Sequence, residues 1–343
     1  MLAHMKVADL STPALVIDGP VLARNLDTMA AALPGPRLRP HVKAHKSTAL
    51  AREQAARGNR HFTAATANEI VGLARAGLDT DLLLANECLD PARLRAMAAA
   101  GGRVTVAADS DETVAVAAAS GVAEILVDVN VGMPRCGCAP DDAGRIADRA
   151  RAAGLTVRGV MGYEGHVVGE VDPVKRAEQT EASMQALARA HELVGGETIS
   201  GGGTGTFACN TYASEIQAGS YALMDGSYAQ LGLPFDPAFT ILGTVIHAEA
   251  SYAVADCGLK AQSADHGQPA IDGATVWFCS DEHVTYAPAA TPAVGARVFV
   301  WPAHVDPTIA MHERYFVADG PGLDAQVVDI WPVDLRGWDV DAG

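Results

Sequence analysis

From about residue 36 to residue 225 one pattern recurs eight times: a short β-rich run, a polar or glycine-bearing loop, then an alanine-rich segment of helical character. The strand-like runs lie near 37–43, 60–64, 81–85, 103–107, 123–129, 155–160, 197–200 and 214–218. Helix boundaries between them are legible. Thr66 and Glu69 have capping-box spacing, in which each side chain satisfies a free amide of the first turn, and Asp90 stands before Pro91, whose missing N–H costs a first turn nothing. "RAGLD", "AAGGR" and "AAGLT" place glycines where helices stop. Strand then helix, eight times over, predicts a (β/α)8 barrel within the α/β class. A doubly wound open sheet is the rival, and no complete G-x-G-x-x-G on a first strand supports it.

Beyond residue 240 the character changes to short β-branched and aromatic runs, such as "ATVWFCSDEHVTY", "ARVFVW" and "AQVVDIWPV", separated by Gly, Pro and Asp. These predict an all-β C-terminal domain. "TPALVID", 12–18, is strand-like and precedes the first barrel strand, so it is expected to join that domain, with a helix over 19–33 leading into the barrel. The expected division is 19–235 for the barrel and 1–18 plus 236–343 for the β domain.

The chain carries 25 basic and 41 acidic residues, a formal net charge of −16, and no basic run. Such a surface repels phosphate backbones and anionic lipid, so nucleic-acid and membrane partners are not expected. No apolar run approaches the roughly 20 residues of a membrane span, and "MLAHMKVADLSTP" lacks the apolar segment of a secretory signal, so a cytoplasmic location is expected. Six scattered cysteines are expected to be reduced, with the lone C-x-C of Cys136 and Cys138 more consistent with packing than with metal binding.

In a (β/α)8 barrel the loops after the C-terminal ends of the strands build the active site. Lys43, "NVGMPRCGC", "GYEGH", "SGGGTGT" and "AGSY" all fall there, after strands 1, 5, 6, 7 and 8. In "SGGGTGT" no lysine follows the glycines, so this is not a Walker loop; its backbone amides, with Thr204 and Thr206, suit a phosphate cradle instead. A phosphate on the rim with a lysine across from it suggests pyridoxal phosphate held as a Schiff base. If "RLRPHVKAHKS" is extended, alternation gives Lys43 the face of His41 and His45, where a neighbouring cation favours the free amine. In "WPAHVDPT", His304 and Asp306 would likewise share one side of an extended segment and suit zinc or manganese.

"RPHVKAHKS", "VDVNVGMPRCGC", "SGGGTGT" and "EIQAGSYALMD", in this order, resemble the fold-type III pyridoxal phosphate enzymes, the alanine racemase-like superfamily, and within it the D-threonine aldolase and D-serine dehydratase family. The resemblance implies Lys43 as the Schiff-base lysine and Arg135 facing the cofactor's phenolic oxygen. It implies Tyr163 beside the pyridine ring, with Gly203, Thr204, Gly219 and Ser220 at the phosphate. His41 joins the cofactor-binding set, and Gln217 falls where racemases carry an arginine against the ring nitrogen. His304 and Asp306 match the metal site, which resembles His-x-Asp in the aldolases and His-x-Cys in the dehydratases. The family's catalytic histidine falls at Gly169 here, whereas His166 stands three residues after Tyr163 and is expected to substitute for it or to anchor the loop.

Together with these residues, the resemblance implies a cofactor- and metal-dependent (Zn, Mn or Mg) lyase. It would cleave D-configured β-hydroxy-α-amino acids to glycine and an aldehyde, with Lys43 and His166 catalytic. The alternatives are elimination from D-serine or 3-hydroxy-D-aspartate, and a non-catalytic cofactor carrier. A homodimer is expected by analogy.

Overall fold

The computed structural model describes residues 4–340 and divides into two compact units. One takes in Met29–Lys43, Ala51–Gly219 and the chain from Leu335 on; the other takes in the chain up to Thr28, Ala44–Leu50 and Ser220–Asp334. The N-terminal elements are β1 (Ala14–Asp18), α1 (Gly19–Ala32) and α2 (Thr48–Ala56). Then come β2 (His61–Ala64), α3 (Ala67–Arg75), β3 (Asp81–Leu84), α4 (Pro91–Ala99), β4 (Val104–Ala108), α5 (Asp111–Ala119), β5 (Glu124–Asp128), α6 (Ala143–Ala152), β6 (Thr156–Gly162), α7 (Pro173–Val194), β7 (Thr198–Gly201) and β8 (Glu215–Ile216). The remainder holds β9 (Phe239–Ala248), β10 (Ala253–Ala255), β11 (Ala274–Cys279), β12 (Val284–Pro288), β13 (Arg297–Val300), α8 (Val305–Ala310), β14 (Arg314–Ala318) and β15 (Val327–Pro332).

In the first unit β2 to β8 form one parallel sheet in chain order, the consequence of a helical crossover after nearly every strand. Helix starts are those expected: Thr66 accepts from Glu69 N–H while Glu69 accepts from Thr66 N–H, and Asp90 accepts from the amides of Ala92 and Arg93 ahead of α4. Strand residues alternate between two cores. Leu82, Leu84, Val106, Ile125 and Val127 pack in one large cluster with Ile70, Leu73, Leu94, Val114 and Ile146 of the helices. Their neighbours Leu83, Ala107, Leu126 and, past an irregularity in β6, Met161 form a small separate cluster on the opposite face.

On that inner face, at the strands' N-terminal ends, the layer is charged. Arg158 donates to both Asp81 oxygens (3.1 and 2.9 Å) and to Thr105 Oγ1 (2.8 Å). Arg39, about 1% exposed, donates to Asp81 Oδ1 (3.0 Å) and Glu215 Oε1 (2.8 Å). Arg103 and Glu124 pair at 2.7 Å at its edge. Burial by itself pushes the Asp81 carboxyl up, but Arg39 and Arg158 outweigh it and hold the group below its ordinary range.

Seven of the eight expected barrel strands are regular; the first is not. Residues 37–43 touch both sheet edges through single parallel bridges, Leu38 to Ile216 and His41 to Thr63, so the curled sheet is a seven-stranded half-barrel joined by an irregular segment. Pro40 lacks an N–H for a ladder, although its carbonyl accepts from Thr63 N–H at 2.9 Å. Val42–Ala44 then forms a 3₁₀ turn. Strand alternation therefore does not place His41, Lys43 and His45 on one face. His45 belongs to the other unit, fully buried, its carbonyl accepting from the Tyr315 hydroxyl.

The second unit is built on an eight-stranded sheet in the order β11-β12-β10-β9-β1-β14-β15, with β13 also paired to β9. β1 pairs antiparallel with β9 and parallel with β14. β9, ten residues long, serves three neighbours by splitting its length among them. Asp18 ends β1 and caps α1, accepting from Val21 N–H at 3.0 Å.

Candidate functional site

The loops after the C-terminal ends of β5, β6 and β7 bring three of the expected residues together. The Arg135 guanidinium lies over the Tyr163 ring, 5.4 Å from its centroid, and a methyl group at Gly203 would lie 3.4 Å from the same ring. Arg135 and Gly203 thus both lie against the Tyr163 ring although 28 and 40 residues separate them from it along the chain. His166 is exposed and its ring rests on the backbone of Gly132, where any Cβ would come within 2.9 Å of Nε2; with φ at +130° this position admits only glycine. Gly169 has open space around it.

Lys43 is half-buried on the 3₁₀ turn, and its backbone N–H donates to His41 Nδ1 at 3.4 Å. His41 is held in turn by its N–H donating to Ala218 O at 2.9 Å. Gln217 donates through Nε2 to Ser200 Oγ at 2.9 Å, so its amide is oriented by the strand next to it. Gly219 ends the Ala51–Gly219 stretch of this unit, while Ser220, buried, opens a short 3₁₀ turn of the other.

Glu164, fully buried, does not stand out in the sequence, yet it organises the glycine string. Its Oε2 accepts from Gly202 N–H (3.2 Å), and its Oε1 accepts from the Thr206 hydroxyl (2.8 Å) and the Asn210 amide (3.2 Å). Thr206 Oγ1 accepts from Gly203 N–H at 3.1 Å. The amides of Gly202 and Gly203 and the Thr206 hydroxyl thus hold the loop's shape. At Gly205 a Cβ would sit 1.9 Å from the Val168 carbonyl oxygen, so the turn closes on the β6 loop only with glycine there. Glu164→Ala strands several buried donors, each worth about 1–3 kcal/mol when unsatisfied. Urea denaturation should show a loss on the order of 3 kcal/mol; a loss below about 0.5 kcal/mol would contradict this role.

A carboxylate cluster, equally inconspicuous in the sequence, lines the same strand ends. Burial first, and a hydrogen bond with Glu87 second, drive the Asp128 carboxyl well above its ordinary range. Asp109 accepts from Gly137 N–H at 3.1 Å and shapes the loop after β5. The hydrogen bond to Glu87 raises the Cys136 thiol to about 11, and burial raises Cys138 to about 12. Both thiols are therefore held in the protonated form near neutrality.

In the second unit His304 is the N-cap residue of α8, extended at φ −141° and ψ 122°, and Asp306 lies in the first turn. The two meet at 3.8 Å between Nε2 and Oδ2. They are brought together by a helix start, not by the strand alternation expected of His-x-Asp. Buried Asp225 secures that start, accepting from Val305 N–H (2.8 Å) and Tyr228 N–H (2.9 Å). Two residues absent from the sequence expectations complete the surroundings: Asp265, 2.8 Å from His304 Nδ1, and His266, whose ring stacks on that of His304 at 3.8 Å and 5°. Asp265, His266 and His304 present donor atoms within 4.8 Å of one another. Among the described residues no helix is long and apolar enough to cross a membrane.

The family model described as "Alanine racemase, N-terminal domain" matches residues 17–225, and one described as "Putative serine dehydratase domain" matches 238–318. The chain is 33% identical to D-threonine aldolase of Arthrobacter sp., covering 97% of this chain and 94% of that one. It is 32% identical to 3-hydroxy-D-aspartate aldolase of Paracoccus denitrificans, over 98% and 95% of the two chains. Its fold superposes on the crystal structure of D-threonine aldolase from Filomicrobium marinum with a TM-score of 0.90, 32% identity and 96% of each chain covered.

Proposed function

The chain belongs to the alanine racemase-like family, and from that premise we propose that it is a lyase cleaving D-configured β-hydroxy-α-amino acids, D-threonine among them, to glycine and an aldehyde. The observation that carries this reading is the His304–Asp306 pair. It offers an imidazole and a carboxylate, a set suited to zinc, manganese or magnesium, where the resemblance puts cysteine in place of the aspartate in the dehydratases.

The residues of the barrel unit fit pyridoxal 5′-phosphate. A half-buried lysine stands beside His41, a braced glycine turn follows β7, and an arginine lies over an aromatic ring. When bound, the cofactor supplies the electron sink for Cα–Cβ cleavage. Lys43 would anchor it, with Gly203, Thr204, Gly219 and Ser220 at the phosphate and Arg135, Tyr163, His41 and Gln217 around the ring. The His41 imidazole fixes the turn that carries Lys43, and Glu164 keeps the glycine turn in shape. A divalent cation on His304 and Asp306 would acidify the substrate's β-hydroxyl. His166, exposed on the loop after β6, is the side-chain base assigned to that proton. The division into a barrel over 19–235 and a β domain of 1–18 with 236–343, the cytoplasmic location and the homodimer belong to the same proposal. The six free cysteines suit a reducing compartment.

The match of residues 238–318 to a dehydratase domain favours a second reading, elimination of water to a 2-oxo acid and ammonia. A product assay separates the two. D-threonine, D-phenylserine, D-serine and 3-hydroxy-D-aspartate are supplied with and without a chelator, and glycine and ammonia are quantified. Glycine with an equimolar aldehyde is expected, stopped by chelation and restored by Mn²⁺. Ammonia without glycine would establish elimination instead, and a bound chromophore with no turnover would indicate a carrier.

A further inference from the structure

The nitrogen a histidine offers to a metal is decided by what its other nitrogen does. His304 Nδ1 lies 2.8 Å from Asp265 Oδ2, and His304 Nε2 faces Asp306 Oδ2 at 3.8 Å, a gap that a cation about 2.1 Å from each atom can span. Asp265 is itself fixed. The Ser263 hydroxyl donates to its Oδ1 at 2.6 Å, Ser263 N–H donates to Thr308 Oγ1 at 3.0 Å, and the Thr308 hydroxyl donates to the His304 carbonyl at 2.7 Å. His304, Asp265, Ser263 and Thr308 therefore close a ring of hydrogen bonds around the imidazole. The His266 ring, stacked at 3.8 Å and 5°, sets its plane from one side.

We propose that Asp265 is a positioning residue for the metal: it holds the proton of His304 on Nδ1, so that the Nε2 lone pair points at the cation shared with Asp306. The inference rests on the proposed metal site at His304 and Asp306 and deepens it. A carboxylate behind a ligating imidazole fixes tautomer and ring direction and raises ligand basicity, and its loss typically weakens metal binding 10–100-fold. Asp265 is exposed and stands outside the hydrophobic core, so its replacement is expected to leave the fold intact.

The test is Mn²⁺ binding to the full chain by titration calorimetry, with no substrate present. Asp265→Ala should weaken binding about 10–100-fold. Asp265→Asn, whose amide oxygen still accepts from Nδ1–H, should lose clearly less. His304→Ala should lose binding altogether. Wild-type affinity in Asp265→Ala alongside lost binding in His304→Ala would overturn the positioning role and leave the metal site standing. Loss in Asp265→Ala as complete as in His304→Ala would overturn it too, because Asp265 would then be a ligand. Unchanged binding in His304→Ala would overturn both.

Discussion

Lys43→Ala should abolish the near-visible absorbance of the purified protein and lower D-threonine cleavage by about 10³-fold or more. The lysine is the amine proposed to anchor the cofactor, and no neighbouring amine takes its place. Lys46, three residues on, lies past the 3₁₀ turn with φ at +49° and in the other compact unit. Lys46→Ala is the matched control and should keep both the band and the activity. The alanine at 43 sits on a short turn and costs little stability, so a normal urea transition with the band gone isolates the anchoring role. A Lys43→Ala protein that keeps its band and cleaves within tenfold of wild type would remove Lys43 from the chemistry.

The second large effect is on stability. Asp81→Ala takes away the carboxylate shared by Arg39 and Arg158 and leaves two buried guanidiniums short of a counter-charge. Breaking one side of such a group costs about 3–5 kcal/mol, to be read from the urea midpoint at constant slope. The pH dependence has a definite sign. Because the Asp81 pKa is lowered in the folded chain, its contribution is full above the unfolded carboxylate value of about 3.9 and is lost as pH falls through the lower folded value. The gap between wild type and variant should therefore hold from neutrality down to about pH 4 and close in stronger acid. A gap that closes nearer neutrality would mean that the arginines do not hold Asp81 ionised.

How far the residues themselves disclose this protein depends on how local the determining interactions are. Most of β2 to β8 are legible because they are short β-rich runs ended by a turn, and because caps such as Thr66–Glu69 and Asp90–Pro91 act over three or four residues. The first barrel strand is illegible because its pairing is a matter of partners far away: two single bridges hold 37–43, and a 3₁₀ turn interrupts the extended run. His304 and Asp306 stand out by chemistry and resemblance, yet the alternation expected of them fails, because an N-cap followed by a helical turn sets their meeting. "ADHG" at 264–267 carries a usable signal, an acid next to a histidine, but nothing local ties it to residue 304.

Periodicity, capping and turn chemistry are short-range, and by themselves they determined the α/β repeat and the change to β structure after it. Tertiary structure decided the rest. Glu164 reaches residues 38 to 46 positions away to hold the glycine turn, Asp265 meets His304 across 39, Asp81 meets Arg158 across 77, and Arg39 meets Glu215 across 176. A buried charge or hydrogen-bonding group must find a partner wherever the fold supplies one, and sequence spacing carries no record of which residue that will be.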